Sequence, residues 1–206
     1  MHDVAHAGPS IAPRGEPVWE IATLFPEQGS WSERQYLALD TNRLVEFDDG
    51  IIEVLPLPKK WHQKIIRFLC TLIENLVVAR VGGAVLPAGY KLRIPGRKFR
   101  EPDVIYLTPQ QDKASNDDFT DKAELVIEIV SPDDPDRDYV VKREEYALAQ
   151  VPEYWVVDWT EKQVLVLRLE NGTYVEHGRF GPGQQVRSHL FPALTVDVDE
   201  IMTLGR

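Results

Sequence analysis

Asp103, Glu128 and Lys142 are the residues whose types and spacing could do chemistry. Asp103 follows Glu101-Pro102 and heads the apolar run Val104-Ile105-Tyr106-Leu107, and Glu128 lies inside the apolar run Leu125 to Val130. Lys142 falls within a helical pattern from Asp136 to Gln150, and Glu153-Tyr154-Trp155-Val156-Val157-Asp158 then reads as another strand. Two carboxylates on adjacent strands and a lysine from a nearby helix can meet at one point. Such a group suits metal-assisted hydrolysis of a phosphodiester, in which a divalent cation polarises the phosphate and eases ionisation of an attacking water. Hard cations such as Mg²⁺ prefer oxygen ligands and keep several waters, so one or two carboxylates suffice.

Each residue also has a plainer reading. Asp103 could be an ordinary acid at a strand edge after proline. Val126, Glu128 and Val130 point to one face of a strand, so Glu128 sits in an apolar row. A carboxylate there needs a metal or a cation to offset its burial, and an arginine would serve as well. Lys142 lies one helical turn beyond Asp138, and a surface pair at that spacing contributes only ~0.3 kcal/mol. On the residues alone, that pair is the preferred reading for Lys142. Glu46, Glu53 and His62 are accessory candidates, for a third acid or a proton carrier. Tyr146, Tyr154 and Trp155 are spaced as core residues rather than base-stacking groups.

The order Pro102-Asp103, then Glu128-Ile129-Val130, then Lys142, resembles the PD-(D/E)XK nuclease superfamily. More narrowly, the chain is similar to the Uma-two-type family of restriction-endonuclease-like proteins. The likeness includes Trp31-Ser32-Glu33-Arg34-Gln35-Tyr36, Val45 to Glu53, His62, Ser131, Asp138, Tyr146 and Val151 to Asp158, and so runs from about Trp31 to the C-terminus. The superfamily's usual lysine, two positions after the acid, is replaced here by Val130. The narrower family is similar in this, with the lysine supplied by the following helix, which makes Lys142 the candidate. The resemblance implies an endonuclease with a Mg²⁺ or Mn²⁺ cofactor held by Asp103, Glu128 and the Ile129 backbone carbonyl. It gives Lys142 the place beside the scissile phosphate or the attacking water.

The elements that must position these residues can be read in order. Met1 to Pro17 has no periodicity and reads as a flexible leader, with 18–206 as one nuclease-like domain. Ser30 with Glu33 predicts a capping box for a short helix through Leu39. Arg43 to Phe47 and Ile51 to Leu55 flank Asp48-Asp49-Gly50, a hairpin signal. The longest helical pattern runs from Trp61 to about Ala79, with Trp61, Ile65, Leu69, Leu72 and Leu76 on one face. Ala84 to Ile94 predicts a strand, turned by Pro95-Gly96 into an antiparallel partner over Arg100 to Leu107. Thr108 to Asp121 reads as loop, and Glu124 to Val130 as strand. Pro135 suits the first turn of the helix that carries Lys142. Gln163 to Leu169, the turn Asn171-Gly172, Thr173 to His177 and Gln184 to Ser188 close the chain. The expected fold is α/β: a restriction-endonuclease-like mixed sheet flanked by helices, with an N-terminal helix and hairpin and a C-terminal antiparallel extension.

The chain has 206 residues, 43% apolar and 27% charged, as in an ordinary globular protein. Its one cysteine, Cys70, lies in an apolar helical pattern and reads as a small buried hydrophobe. No signal-peptide pattern or bilayer-length apolar run is present, so a cytoplasmic protein with no membrane partner is expected. The formal net charge of −10 argues against indiscriminate nucleic-acid binding. Yet Glu74 is the only acid between Glu53 and Glu101, an interval holding ten lysines and arginines. Lys59, Lys60, Lys64, Arg97 and Arg100 are therefore candidate contacts to nucleic acid, with DNA the first expectation. The plainer reading is a set of solvated charges. A homodimer is left open. Two other function classes compete: a non-catalytic nucleic-acid-binding or regulatory module on this fold, and a structural subunit whose acids only form ion pairs.

Overall fold

The computed structural model describes residues 25–41 and 43–205; the whole of the N-terminal leader, Met1 to Pro17, lies outside them. A short helix α1 (Glu33–Leu37) comes first. It is capped by Ser32 with Gln35, two residues later than the expected Ser30–Glu33 box, and the reciprocal bonding satisfies the same orphan amides. Strands β1 (Val45–Asp48) and β2 (Ile51–Val54) form the expected hairpin. Asp49 and Gly50 turn it with φ of 40° and 95°, the paired left-handed backbone that favours Asp-Gly.

The long amphipathic pattern folds as helix α2 (Lys60–Ile73), which continues through a π-helical turn (Glu74–Val78) into Ala79–Val81. Ile65, Leu69 and Ile73 on its inner face are almost wholly buried, each stabilising by about 1.5–3 kcal/mol.

The next hairpin departs from the expectation of two long strands. The arm Ala84 to Ile94 divides into β3 (Ala84–Pro87) and β4 (Lys91–Ile94), and the returning arm into β5 (Lys98–Arg100) and β6 (Val104–Leu107). Both pairs are antiparallel, as expected, but they belong to different sheets. Ala88-Gly89-Tyr90 on one arm and Glu101-Pro102-Asp103 on the other mark the crossing. Proline, with no amide to give a ladder, suits such a break.

Thr108 to Asp121 is more ordered than a loop. Thr108 caps helix α3 (Pro109–Ala114) with Gln111, and β7 (Phe119–Thr120) follows. Strand β8 (Leu125–Ile129) carries Glu128. A π-helical turn (Arg137–Val141) leads into helix α4 (Lys142–Leu148), then β9 (Glu153–Asp158). Strands β10 (Gln163–Glu170), β11 (Thr173–Phe180) and β12 (Gln185–Arg187) follow. The sequence reading did not anticipate β13 (Thr195–Asp197) or helix α5 (Val198–Thr203).

The larger sheet has the order β11-β10-β9-β8-β6-β3, with β8 and β9 parallel and its other pairings antiparallel. The second sheet runs β2-β1-β5-β4-β7, and β12 pairs with β13. Helix α2 covers one face of the large sheet, packing on Val104, Tyr106, Leu125, Ile127, Trp155 and Val157. Helix α4 covers the other through Tyr146 and Ala147, against Ile105, Val126, Val130, Tyr154 and Val156. Mixed sheets with helices on both faces are the expected architecture.

Candidate active site

Asp103 sits where the long hairpin passes from one sheet to the other. The β6–β8 pairing matches Val104 with Ile127, so one step further Asp103 faces Glu128 on the adjoining strand. Asp103 Oδ2 accepts a hydrogen bond from the Ile129 amide at 2.8 Å and lies 3.1 Å from His62 Nε2. His62 comes from the first turn of α2, so that helix and strand β8 both hold the carboxylate. The other ring nitrogen, His62 Nδ1, is buried without a hydrogen-bond partner. With Asp103 accepting at Nε2, that ring nitrogen is the donor.

Glu128 is 2% exposed and points with Val126 and Val130 towards α4. Its Oε1 accepts the Tyr146 hydroxyl and lies 3.0 Å from Lys142 Nζ. Lys142 is itself buried, and its ammonium also lies 3.3 Å from Asp138 Oδ1. The Asp138–Lys142 pair therefore exists, but in the interior and shared with Glu128. Tyr146 is a core residue, as its spacing indicated, yet its hydroxyl also belongs to the site. Only the preceding carboxylate in an apolar row hinted that a hydroxyl would be needed there.

Burial works against the Lys142 ammonium, but Glu128, Glu46, Asp138 and Asp103 outweigh it and hold its pKa above the usual lysine value. Burial pushes the Glu128 carboxyl upward; Lys142 opposes this and Asp103 and Asp138 reinforce it. Asp138 is raised as well, again chiefly by burial. One ammonium thus serves several buried acids, and full ionisation of the group would leave a surplus of negative charge.

That surplus is what a divalent cation would offset. Among the described residues, no three His, Cys, Asp or Glu side chains converge to hold a metal ion. A site with two carboxylates, a backbone carbonyl and waters still fits Mg²⁺, which seldom uses an all-protein cage. The contacts described fall on Oδ2 of Asp103 and Oε1 of Glu128, so both carboxylates keep capacity with which they would hold such a cation. Ile129, whose carbonyl is the expected third ligand, already binds Asp103 through its amide.

The accessory acids lie elsewhere. Glu46 is buried against Arg137 Nη2 at 2.5 Å, and exposed Glu53 meets Nη1 of the same guanidinium at 2.7 Å. Arg137 thereby clamps the β1–β2 hairpin onto the turn preceding Lys142. Glu46 acts on Lys142 through its field alone, and Glu53 is drawn away from the site.

The Lys91 to Arg100 part of the basic interval is neutralised. Arg100, expected to contact nucleic acid, is 5% exposed and locked to Glu145 Oε1 and Oε2 at 2.6 and 2.7 Å and to Asp48 at 2.9 Å. Arg97 pairs with Asp49 at 2.8 Å, and both are exposed. Lys91, Arg93 and Lys98 meet Glu101, Asp121 and Asp48 respectively. Lys64 is half-buried and donates to the Leu204 carbonyl at 3.4 Å. Lys59 and Lys60 are exposed at the start of α2, immediately before Trp61 and His62.

Residues 33–199 match the model of the Uma2 family, described as "Putative restriction endonuclease". The match spans most of the chain, and the chain belongs to that family. No curated protein matches it. Among solved structures, it is similar to a protein described as a "putative nuclease belonging to DUF820" from Anabaena variabilis. The two share 17% identity and superpose with a TM-score of 0.71 over 88% of this chain and 100% of that one. At that identity the likeness establishes the fold, a restriction-endonuclease-like mixed sheet.

Proposed function

We propose that this chain is an endonuclease that hydrolyses phosphodiester bonds of DNA with Mg²⁺ or Mn²⁺, held by Asp103, Glu128 and the Ile129 carbonyl. The observation that carries this reading is the buried contact of Lys142 with Glu128, on the strand next to Asp103. When bound, the cation supplies polarisation of the phosphoryl oxygen and a lowered pKa for the attacking water. The rest falls to the chain. Tyr146 fixes the rotamer of Glu128 by donating to Oε1. Ile129 and His62 fix Asp103 through Oδ2. Lys142 presents a preorganised positive charge where negative charge develops on the phosphate, and burial strengthens its effect there. Lys59 and Lys60, exposed at the start of α2, would hold the backbone of the substrate.

Two measurements test the proposal. Nicking of supercoiled DNA should require Mg²⁺ or Mn²⁺ and disappear in Asp103→Asn and Glu128→Gln. Calorimetry should show Mn²⁺ binding to the wild type and at least tenfold weaker binding to Asp103→Asn, a loss of about 1.4 kcal/mol. Equal binding by both proteins would sink the metal assignment.

A further inference from the structure

A second concavity, of about 310 Å³, opens at the ends of β8 and β9. That volume lies at the small end of the range for ligand sites, about 300–1,000 Å³. Val130 forms part of its floor. Val130 points to the same face as Glu128, two residues further along, a distance of about 7 Å. One step beyond the Ile129–Val157 pairing, Val130 adjoins Asp158, which lines the opposite side. The cavity thus lies beside the candidate active site, on the face that bears the acid.

Its walls have a definite chemistry. Pro132, Pro135 and Tyr139 contribute ring surfaces. A directional chain of hydrogen bonds lines the rest. Arg179 Nη1 donates to Gln163 Oε1 at 3.3 Å, and Gln163 Nε2 donates to the Tyr139 hydroxyl at 3.1 Å. Tyr139 in turn donates to Asp158 Oδ2 at 3.0 Å. Asp158 Oδ1 accepts the Glu161 amide at 2.9 Å. Each carboxylate oxygen keeps a further lone pair, and the partly exposed Arg179 has more N–H groups than its partners take. The cavity therefore offers an acceptor at one end and donors at the other. Asp158 and Glu161 against Arg179 would repel a phosphate. A flat, neutral heterocycle meets no such penalty.

The geometry points to a pocket for a single nucleobase, unstacked from its neighbours, adjoining the scissile phosphate. Guanine matches it most fully. Its imino and amino N–H groups can be accepted together by Asp158, while O6 and N7 suit a guanidinium. Extrusion into a pocket is the ordinary route by which a protein reads a base on all edges. This inference rests on the nuclease reading and adds base selection at the adjoining nucleotide.

The test separates the two. Metal-free protein in EDTA is titrated calorimetrically with GMP, AMP, CMP and UMP, and separately with inorganic phosphate. GMP should bind at least about tenfold more tightly than UMP, the equivalent of one good polar contact. Arg179→Ala, at an exposed position, should reduce GMP to the UMP level, and phosphate should not compete. Equal binding of the four nucleotides, binding of none, or competition by phosphate each overturns the pocket and leaves the nuclease assay untouched. Selective GMP binding without metal-dependent cleavage overturns the nuclease reading instead.

Discussion

Lys142 Nζ lies 3.0 Å from Glu128 Oε1, so a helix lysine reaches a carboxylate at the centre of the sheet that α4 covers. A strand lysine at position 130 would stand at the same end. Val130 instead packs with Val126, Tyr146 and Tyr154, closing the core beneath the helix.

Lys142→Ala should abolish Mg²⁺-dependent cleavage while leaving Mn²⁺ binding largely intact. The variant leaves Glu128 and Asp138 buried with no ammonium, a loss of about 3–5 kcal/mol. Added Mn²⁺ should then stabilise the variant by about as much as it stabilises the wild type, because intact binding stabilises both folded proteins alike. Cleavage at the wild-type rate would refute the role given to this lysine.

Tyr146→Phe keeps the ring that packs on Tyr154 and removes the hydroxyl that Glu128 accepts. Leaving a buried carboxylate short of a donor costs about 1–3 kcal/mol. The expected outcome is a folded protein with reduced turnover and unchanged DNA affinity, measured by nicking and by filter binding. An equal loss of both would show that the hydroxyl supports the fold rather than the site.

Arg100 and the lysines at the start of α2 should separate cleanly. Arg100→Ala leaves buried Glu145 with its Lys98 contact alone, so thermal unfolding should show a loss of about 1–3 kcal/mol. Lys59→Ala with Lys60→Ala should leave the melting temperature within a degree or so, since exposed charges contribute little. If each lysine neutralises one phosphate, the pair should lower the slope of log affinity against log salt by about 2. An unchanged slope would return both residues to the solvated surface.

Cys70 is pushed up to about 11, first by burial and then by the nearby Glu74 carboxylate. The direction favours the neutral thiol, so the nucleophilic thiolate is scarce until the pH approaches that value. At about pH 8 the folded protein should react with a disulfide reagent far more slowly than the denatured protein, where the thiol returns to its ordinary range. Equal rates, followed by absorbance, would contradict this.

Periodicity and turn residues were enough to read most elements, because α2, β8 and β9 bury the faces their patterns specify. The crossing of the long hairpin between sheets was not legible. Its residues read as continuous strand, and only Pro87, Gly89 and Pro102 interrupt them. Helix α3 was missed although Thr108-Pro109 and Gln111 spell a capping box, because a polar stretch of that length lacks an apolar stripe. At the site, the carboxylates and the lysine were visible as residue types, whereas their partners were not. The acids that neutralise Arg93, Arg97, Lys98 and Arg100 lie up to 60 positions away from them by chain number, as Arg93 and Glu33 illustrate (93 − 33), so the basic run looked freer than it is. Long-range pairing of charges leaves no local pattern.

The parallel pairing of β8 with β9 also sets an order of events. A hairpin such as β3 to β6 closes between neighbours in the chain and can form early, carrying Asp103 with it. Parallel strands must wait for the whole crossover through α4 before they can join. Lys142 rides on that crossover, so its contact with Glu128 is secured when the crossover packs on the sheet. Pulse-labelled amide exchange should accordingly protect the β3–β6 amides before those shared by β8 and β9. A chain arrested between these stages would own its hairpin and lack its chemistry.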